Sequence, residues 1–378
     1  MFQLINQGNG VFKLTGVKKF FKPNIETASV YSPGGILRLL YQQRQDWVRM
    51  MSNESPFEPS PRVIEAVEEA VHRAGWYYDS DFVELREAIE RYIGFEKERI
   101  LVGNGSTELI DMIFRGFLNS GEEVILSDPT YPLYPIRIQV ADGESVIVPK
   151  ILPDYRWDIE GIIKAITPRT KIIAVVSPNN PVGNTIPEED LRKLLEQDVL
   201  VILDEAYGEF ADKTLTHLAK KYKNLIVLRT LSKAFGLAAL RIGYTIAEPE
   251  VIKYLEKIKI PFNVNYIAVQ AAIAALGDRE YLEKVRREIA QGREYLYREI
   301  SAIDGLEAFP SQANFVLVKI TKPNVTGTDI EWQLADRRIL TRKYTGKAGL
   351  IGEFVRITVR SMEENRRCVD ALKEIMER

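Results

Sequence analysis

Lys171-Ile172-Ile173-Ala174-Val175-Val176-Ser177-Pro178-Asn179-Asn180-Pro181-Val182-Gly183 runs from a β-branched stretch straight into a loop of proline, asparagine and glycine. The stretch is apolar without alternation, as a strand covered by helices on both faces must be. Val199–Leu203 has the same character, and its neighbours extend the pattern in both directions. From Pro61 to about Glu256, strands are expected at Ile100–Val102, Glu123–Leu126, Ser145–Val148, Lys171–Val176, Val199–Leu203, Asn224–Leu228 and Ile242–Ile246. Helices over Glu108–Leu118, Tyr134–Val140 and Glu188–Leu195 separate them. Ser60 before Pro61 marks a helix start, and Asp81 precedes a second helix carrying Phe82, Leu85, Ala88, Ile89 and Tyr92. This predicts an α/β fold built on a mostly parallel sheet. After Asn265 the texture turns α+β. Helices are expected over Tyr266–Leu276, Glu280–Ile300 and Met362–Met376, and sparse strands at Phe315–Val318, Ile339–Leu340 and Val355–Val359.

The chain has 378 residues, which favours two domains, and its 46% hydrophobic and 28% charged residues describe a globular protein with a large core. Lys and Arg number 51 against 53 Asp and Glu, with no polybasic run, so neither nucleic acid nor an anionic membrane is expected as a partner. Cys368 alone allows neither an internal disulfide nor a thiolate metal cluster, and it fits a reducing cytoplasm. With His72 and His217 as the only histidines, a metal site or a Ser/His/Asp triad is poorly supported. The N-terminus is unlike a signal peptide, and the longest apolar stretches fall short of a membrane span.

In open α/β sheets ligands sit beyond the carboxyl ends of the strands, so the loops there carry the chemistry. Gly103-Asn104-Gly105-Ser106-Thr107-Glu108 leads into a helix whose first amides would face an anion. Glu108 replaces the third glycine of a dinucleotide fingerprint, which argues against an NAD-dependent oxidoreductase. Asp204, ending a buried apolar strand, needs a cation or hydrogen bonds. Arg229-Thr230-Leu231-Ser232-Lys233-Ala234-Phe235-Gly236 follows another strand, with Arg241 beyond it. A pyridine aldehyde bearing a phosphate would explain all of these together. Lys233 supplies the amine, Asp204 the partner of the ring nitrogen, and Asn180 with Tyr207 the donors to the ring oxygen. Arg241, Thr230, Ser232 and the amides of Gly105, Ser106 and Thr107 make the phosphate cradle.

Ser177–Gly183, Leu203-Asp204-Glu205-Ala206-Tyr207 and Thr230–Gly243 together resemble the fold-type I, class I/II aminotransferases that use pyridoxal 5'-phosphate, and within them the histidinol-phosphate branch of histidine biosynthesis. The resemblance runs from about Val30 to the C-terminus. It implies a large cofactor-binding domain over 53–262, a small domain over 263–378, and an arm over 1–52 that completes the latter. It makes Lys233 the Schiff-base lysine and proton carrier, Asp204 the pyridinium partner, Tyr131 the aromatic residue stacked on the ring, and Arg241 a phosphate ligand. Tyr77 would reach the cofactor phosphate of the other subunit of a homodimer. Arg356 would grip the substrate carboxylate and Arg342 a distal anion, while Tyr31, in Tyr31-Ser32-Pro33-Gly34, would contribute across the dimer. Ser55, Thr107, Tyr78 and Arg360 depart from the branch's usual residues. Amino and keto acids are the implied substrates. An aromatic or aspartate-type aminotransferase and a threonine-phosphate decarboxylase share the cofactor residues. A transcriptional regulator borrowing the fold would need an N-terminal DNA-binding module, for which the leading fifty residues show no basic recognition helix.

Overall fold

The computed structural model describes residues 20–31, 47–345 and 349–377. Ser32-Pro33-Gly34 and most of the N-terminal arm lie outside them. Strand β1 (Val48–Arg49) precedes seven strands: β2 (Ile100–Asn104), β3 (Glu123–Asp128), β4 (Glu144–Pro149), β5 (Thr170–Val176), β6 (Leu200–Asp204), β7 (Leu225–Thr230) and β8 (Ile242–Ile246). These seven form one sheet in the order β2-β8-β7-β6-β5-β3-β4. All neighbours run parallel except β8, which is antiparallel to β2 and β7. Ile173, Val175, Val201, Leu203 and Val227 pack into one core, and Ile172, Ala174, Val176, Ile202 and Leu228 into another. The two sets alternate along each strand, so each face of the sheet has its own apolar cover, and this is why the strands show no polar alternation.

Ser60 Oγ accepts from Val63 N and opens helix Pro61–Val71. The next helix, Val83–Ile93, is capped differently from the sequence expectation. Phe82 takes a left-handed conformation, and Asp79 rather than Asp81 accepts from Val83 N at 2.9 Å. A second sheet holds β9 (Leu306–Ala308), β10 (Phe315–Ile320), β12 (Arg342–Thr345) and β13 (Glu353–Thr358) in antiparallel order β12-β13-β10-β9. β11 (Ile339–Leu340) pairs in parallel with β1. Helices Arg279–Ser301 and Met362–Glu377 pack beside this second sheet. β9, β12 and helix Gly327–Asp336 are elements the sequence pattern had not suggested. Among the described residues no helix is long and apolar enough to cross a membrane.

Residues 50–55 form a strap laid along the C-terminal strand. Met50 O accepts from Thr358 N at 2.9 Å, Asn53 N donates to Thr358 Oγ1 at 3.0 Å, and Arg360 donates to Ser55 O at 3.2 Å. Asn314 Nδ2, just before β10, donates to Asn53 O at 3.1 Å. The strap thereby fixes the second sheet against the carboxyl ends of the first.

Candidate active site

A cleft of about 270 Å³ opens where β5, β6 and β7 end, and the strap and β12–β13 close its other side. At its base Asp204 is 3% exposed. Tyr134 Oη donates to its Oδ2 at 2.9 Å and Ala206 N to its Oδ1 at 3.0 Å. Burial pushes the carboxyl up to about 6 although both hydrogen bonds pull the other way. Lys233 Nζ donates to Ser52 O at 3.2 Å and lies 5.8 Å from the centre of the Tyr207 ring. Burial first, then the charge of Arg356, pushes this ammonium down to about 8, so a usable fraction is free amine near neutrality. Tyr207 Oη accepts from Asn53 Nδ2 at 2.8 Å and from Asn180 Nδ2 at 3.4 Å.

The other end of the cleft is a nest of donors. Helix Gly105–Phe117 begins there, with Ser106 and Thr107 lining the cleft. Gly105 has φ +76°, and a Cβ on it would stand 2.5 Å from Arg241 Nη2, so only glycine lets this guanidinium lie against the helix start. Thr230 Oγ1 donates to Ser232 Oγ at 3.0 Å, and Arg241 Nη1 approaches the same oxygen at 3.4 Å. Hydroxyls, a guanidinium and helix amides in one concavity suit a phosphate. Glu108 turns away, accepting from Asn104 N and Asn263 Nδ2 at 2.6 Å each. A carboxylate at that place opposes a dinucleotide pyrophosphate. Amine, buried acid, aromatic wall and phosphate nest fit pyridoxal phosphate, group for group.

Arg342 and Arg356 are directly paired residues of β12 and β13, so both side chains stand on the cleft side of the sheet. Arg356 donates to Asn180 Oδ1 at 2.6 Å, to Met51 O at 2.7 Å and to Tyr344 Oη at 3.3 Å. The Arg342 guanidinium lies 5.5 Å from the Tyr344 ring. Tyr131 lines the cleft, with Tyr31 edge-on at 6.0 Å between ring centres. Tyr31 thus stands at the cleft of its own chain. Tyr77 is not brought to the cleft. It is 87% exposed and packs on Phe262. Arg360 stays outside as well, held between Ser55 O and Glu364, and Tyr78 packs on Tyr266. Of the four departures only Thr107 lines the cleft.

Sequence reasoning gave no role to Tyr134, Ser52, Asn53, Glu54 or Tyr344, all of which line the cleft or touch a residue that does. One carried a signal: Tyr344 stands two residues after Arg342, the spacing that shares a strand face.

The chain belongs to the family Aminotransferase class I and II, which matches residues 45–372. Histidinol-phosphate aminotransferase 2 of Archaeoglobus fulgidus is 40% identical over 328 residues, 87% of this chain and 93% of that one. Among solved structures, the histidinol-phosphate aminotransferase of Sinorhizobium meliloti in complex with pyridoxal-5'-phosphate is 31% identical with a TM-score of 0.86, covering 94% of this chain and 97% of that one. A double mutant of the Thermus thermophilus aspartate aminotransferase is 26% identical with a TM-score of 0.82, covering 94% and 99%.

Proposed function

We propose that this aminotransferase moves an amino group from glutamate to imidazole-acetol phosphate, yielding histidinol phosphate, with pyridoxal phosphate bound at Lys233. The observation that carries this is the pair of guanidiniums, Arg342 and Arg356, opposite each other across β12 and β13. One partner of the reaction bears an α-carboxylate and the other a phosphate, and a guanidinium fork pairs with either oxyanion.

Pyridoxal phosphate supplies the carbonyl that takes up the amino group and the ring that accepts the resulting electron pair. The chain's own groups do the rest. Asp204 keeps the ring nitrogen protonated. Thr230, Ser232, Arg241 and the amides of Gly105, Ser106 and Thr107 hold the phosphate, while Tyr131 covers the ring face. Asn180 and Tyr207 donate to the ring oxygen. Lys233 would hold the cofactor through its amine and, as the free amine at Nζ, would carry the proton of the substrate carbon. Its depressed basicity suits that duty near neutral pH.

Three further parts of the proposal have their own support. Exposed Trp76, Tyr77 and Phe262 favour a homodimer in which Tyr77 reaches the partner's phosphate site. The division into an arm (1–52), a large domain (53–262) and a small domain (263–378) follows the two sheets. A buried free Cys368 accords with a cytoplasmic location.

The test is a substrate profile of the purified protein. Histidinol phosphate should exceed tyrosine, phenylalanine and aspartate in kcat/KM. A preference for aspartate or an aromatic amino acid would reassign the substrate, and carbon dioxide release from an O-phospho amino acid without amino transfer would mean a decarboxylase.

A further inference from the structure

A second cleft, of about 370 Å³, lies behind β7. Side chains alternate along a strand, so Arg229 points away from the face on which Thr230 builds the phosphate nest. Arg229 forms the cleft's floor. Its Nη1 donates to Glu205 Oε2 at 2.9 Å and its Nη2 to Glu209 Oε1 at 2.6 Å, with all three side chains at most 5% exposed. One guanidinium between two carboxylates leaves a formal surplus of one negative charge away from water, which calls for a cation. Glu205 is saturated, since Leu215 N and Thr216 Oγ1 also donate to it. Glu209 Oε2 has no hydrogen-bond partner, and Glu209 lines the cleft. Glu209 Oε2 is therefore the one carboxylate oxygen of this trio left without a partner.

The rim has the opposite character. Arg279 and Arg286 stand there on the first turns of helix Arg279–Ser301. Arg279 lies over the Tyr92 ring at 5.8 Å and Arg286 pairs with Glu283 on the surface. Asp212 and Glu283 are the other acids of the lining: Gln312 Nε2 donates to Asp212 at 3.0 Å, and Glu283 pairs with Arg286. Tyr92, Ile93 and Leu282 supply apolar wall. A bare cation would meet the rim guanidiniums unfavourably, and an anion would meet Glu209. A zwitterion satisfies both ends.

We propose that this cleft binds a free α-amino acid, its ammonium on Glu209, its carboxylate on Arg279 and Arg286, and its side chain against Tyr92, Ile93 and Leu282. The site is separate from Lys233 and does not depend on which substrate that lysine serves.

Equilibrium dialysis with glycine, L-leucine, L-histidine and L-glutamate tests it, using holoenzyme reduced with borohydride. At least one should bind at one per chain, survive Arg356→Ala, and weaken about tenfold or more in Arg279→Ala and Arg286→Ala. Glu209→Gln should weaken it likewise. The two rim variants lie on the surface and keep the test valid if the buried change prevents folding. N-acetyl-L-leucine, lacking the ammonium, and isoamylamine, lacking the carboxylate, should each bind at least about tenfold more weakly than L-leucine. No saturable binding up to millimolar concentration would mean that the floor holds only water, and would overturn the proposal. So would binding lost in Arg356→Ala but kept in the rim variants, or an amine that binds as well as the amino acid.

Discussion

Tyr134→Phe isolates one hydrogen bond beneath the cofactor site. The ring remains to pack against Phe114, at 6.0 Å between centres, while the 2.9 Å hydrogen bond to Asp204 Oδ2 is lost. A hydrogen bond to a charged group contributes about 1.5–3 kcal/mol, which is about one to two pKa units at 1.36 kcal/mol per unit. Asp204, already pushed up to about 6 by burial, would rise by that amount. In its proposed role only the carboxylate would hold the ring nitrogen protonated, so cofactor affinity should decline as pH falls through the acid's pKa. Raising that pKa moves the decline to higher pH. Titrating apoprotein with pyridoxal phosphate from acid to alkaline pH should show the acid limb shifted upward by about 1–2 pH units, with variant and wild type converging at alkaline pH. An unshifted limb, or a uniform loss of affinity at every pH, would refute the reasoning.

The same carboxyl makes a second prediction. Because the folded apoprotein binds this proton more tightly than the unfolded chain, its stability should decrease as pH rises from about 4 to about 6. The rise from 3.8 to about 6 corresponds to about 3 kcal/mol, readable by denaturant unfolding, and Asp204→Asn should flatten that decrease. Lys233→Ala should leave the circular dichroism spectrum unchanged while abolishing amino transfer and the borohydride-trapped adduct; normal turnover would remove Lys233 from the chemistry. Arg342→Ala should weaken phosphate- or dicarboxylate-bearing substrates by roughly 2–5 kcal/mol in kcat/KM relative to neutral ones. Equal losses for both classes would count against its role. Gly105→Ala should displace Arg241 and lower cofactor affinity by about tenfold or more, since the new Cβ meets Nη2 at 2.5 Å. Unchanged affinity would mean the guanidinium is not a phosphate ligand.

The large sheet was legible because its information is local. Ile172 to Val176 carries apolar residues for both faces, and Asp204 or Lys233 at a strand end stands out against such surroundings. The second sheet was harder to read. β12 begins at Arg342 and contains Lys343, so nothing in its composition announces a strand, and its pairing with β13 creates it. Helix Gly327–Asp336 does carry a sign, the Thr326/Asp329 capping box, but one cap marks a start and not a length. The hydrogen bond from Asn53 to Tyr207 joins residues 154 apart and follows from no local pattern.

The strap along β13 also bears on how the protein is made. Ser52, which receives the Lys233 hydrogen bond, lies in a segment whose companions, Thr358 and Arg360, stand 305 residues further along the chain from Asn53 and Ser55. A growing chain that has completed only the seven-stranded sheet still lacks the strand that holds Ser52 and Asn53 in place. Capture of vitamin B6 must therefore wait for β13, and a chain truncated before Glu353 should never acquire the yellow colour.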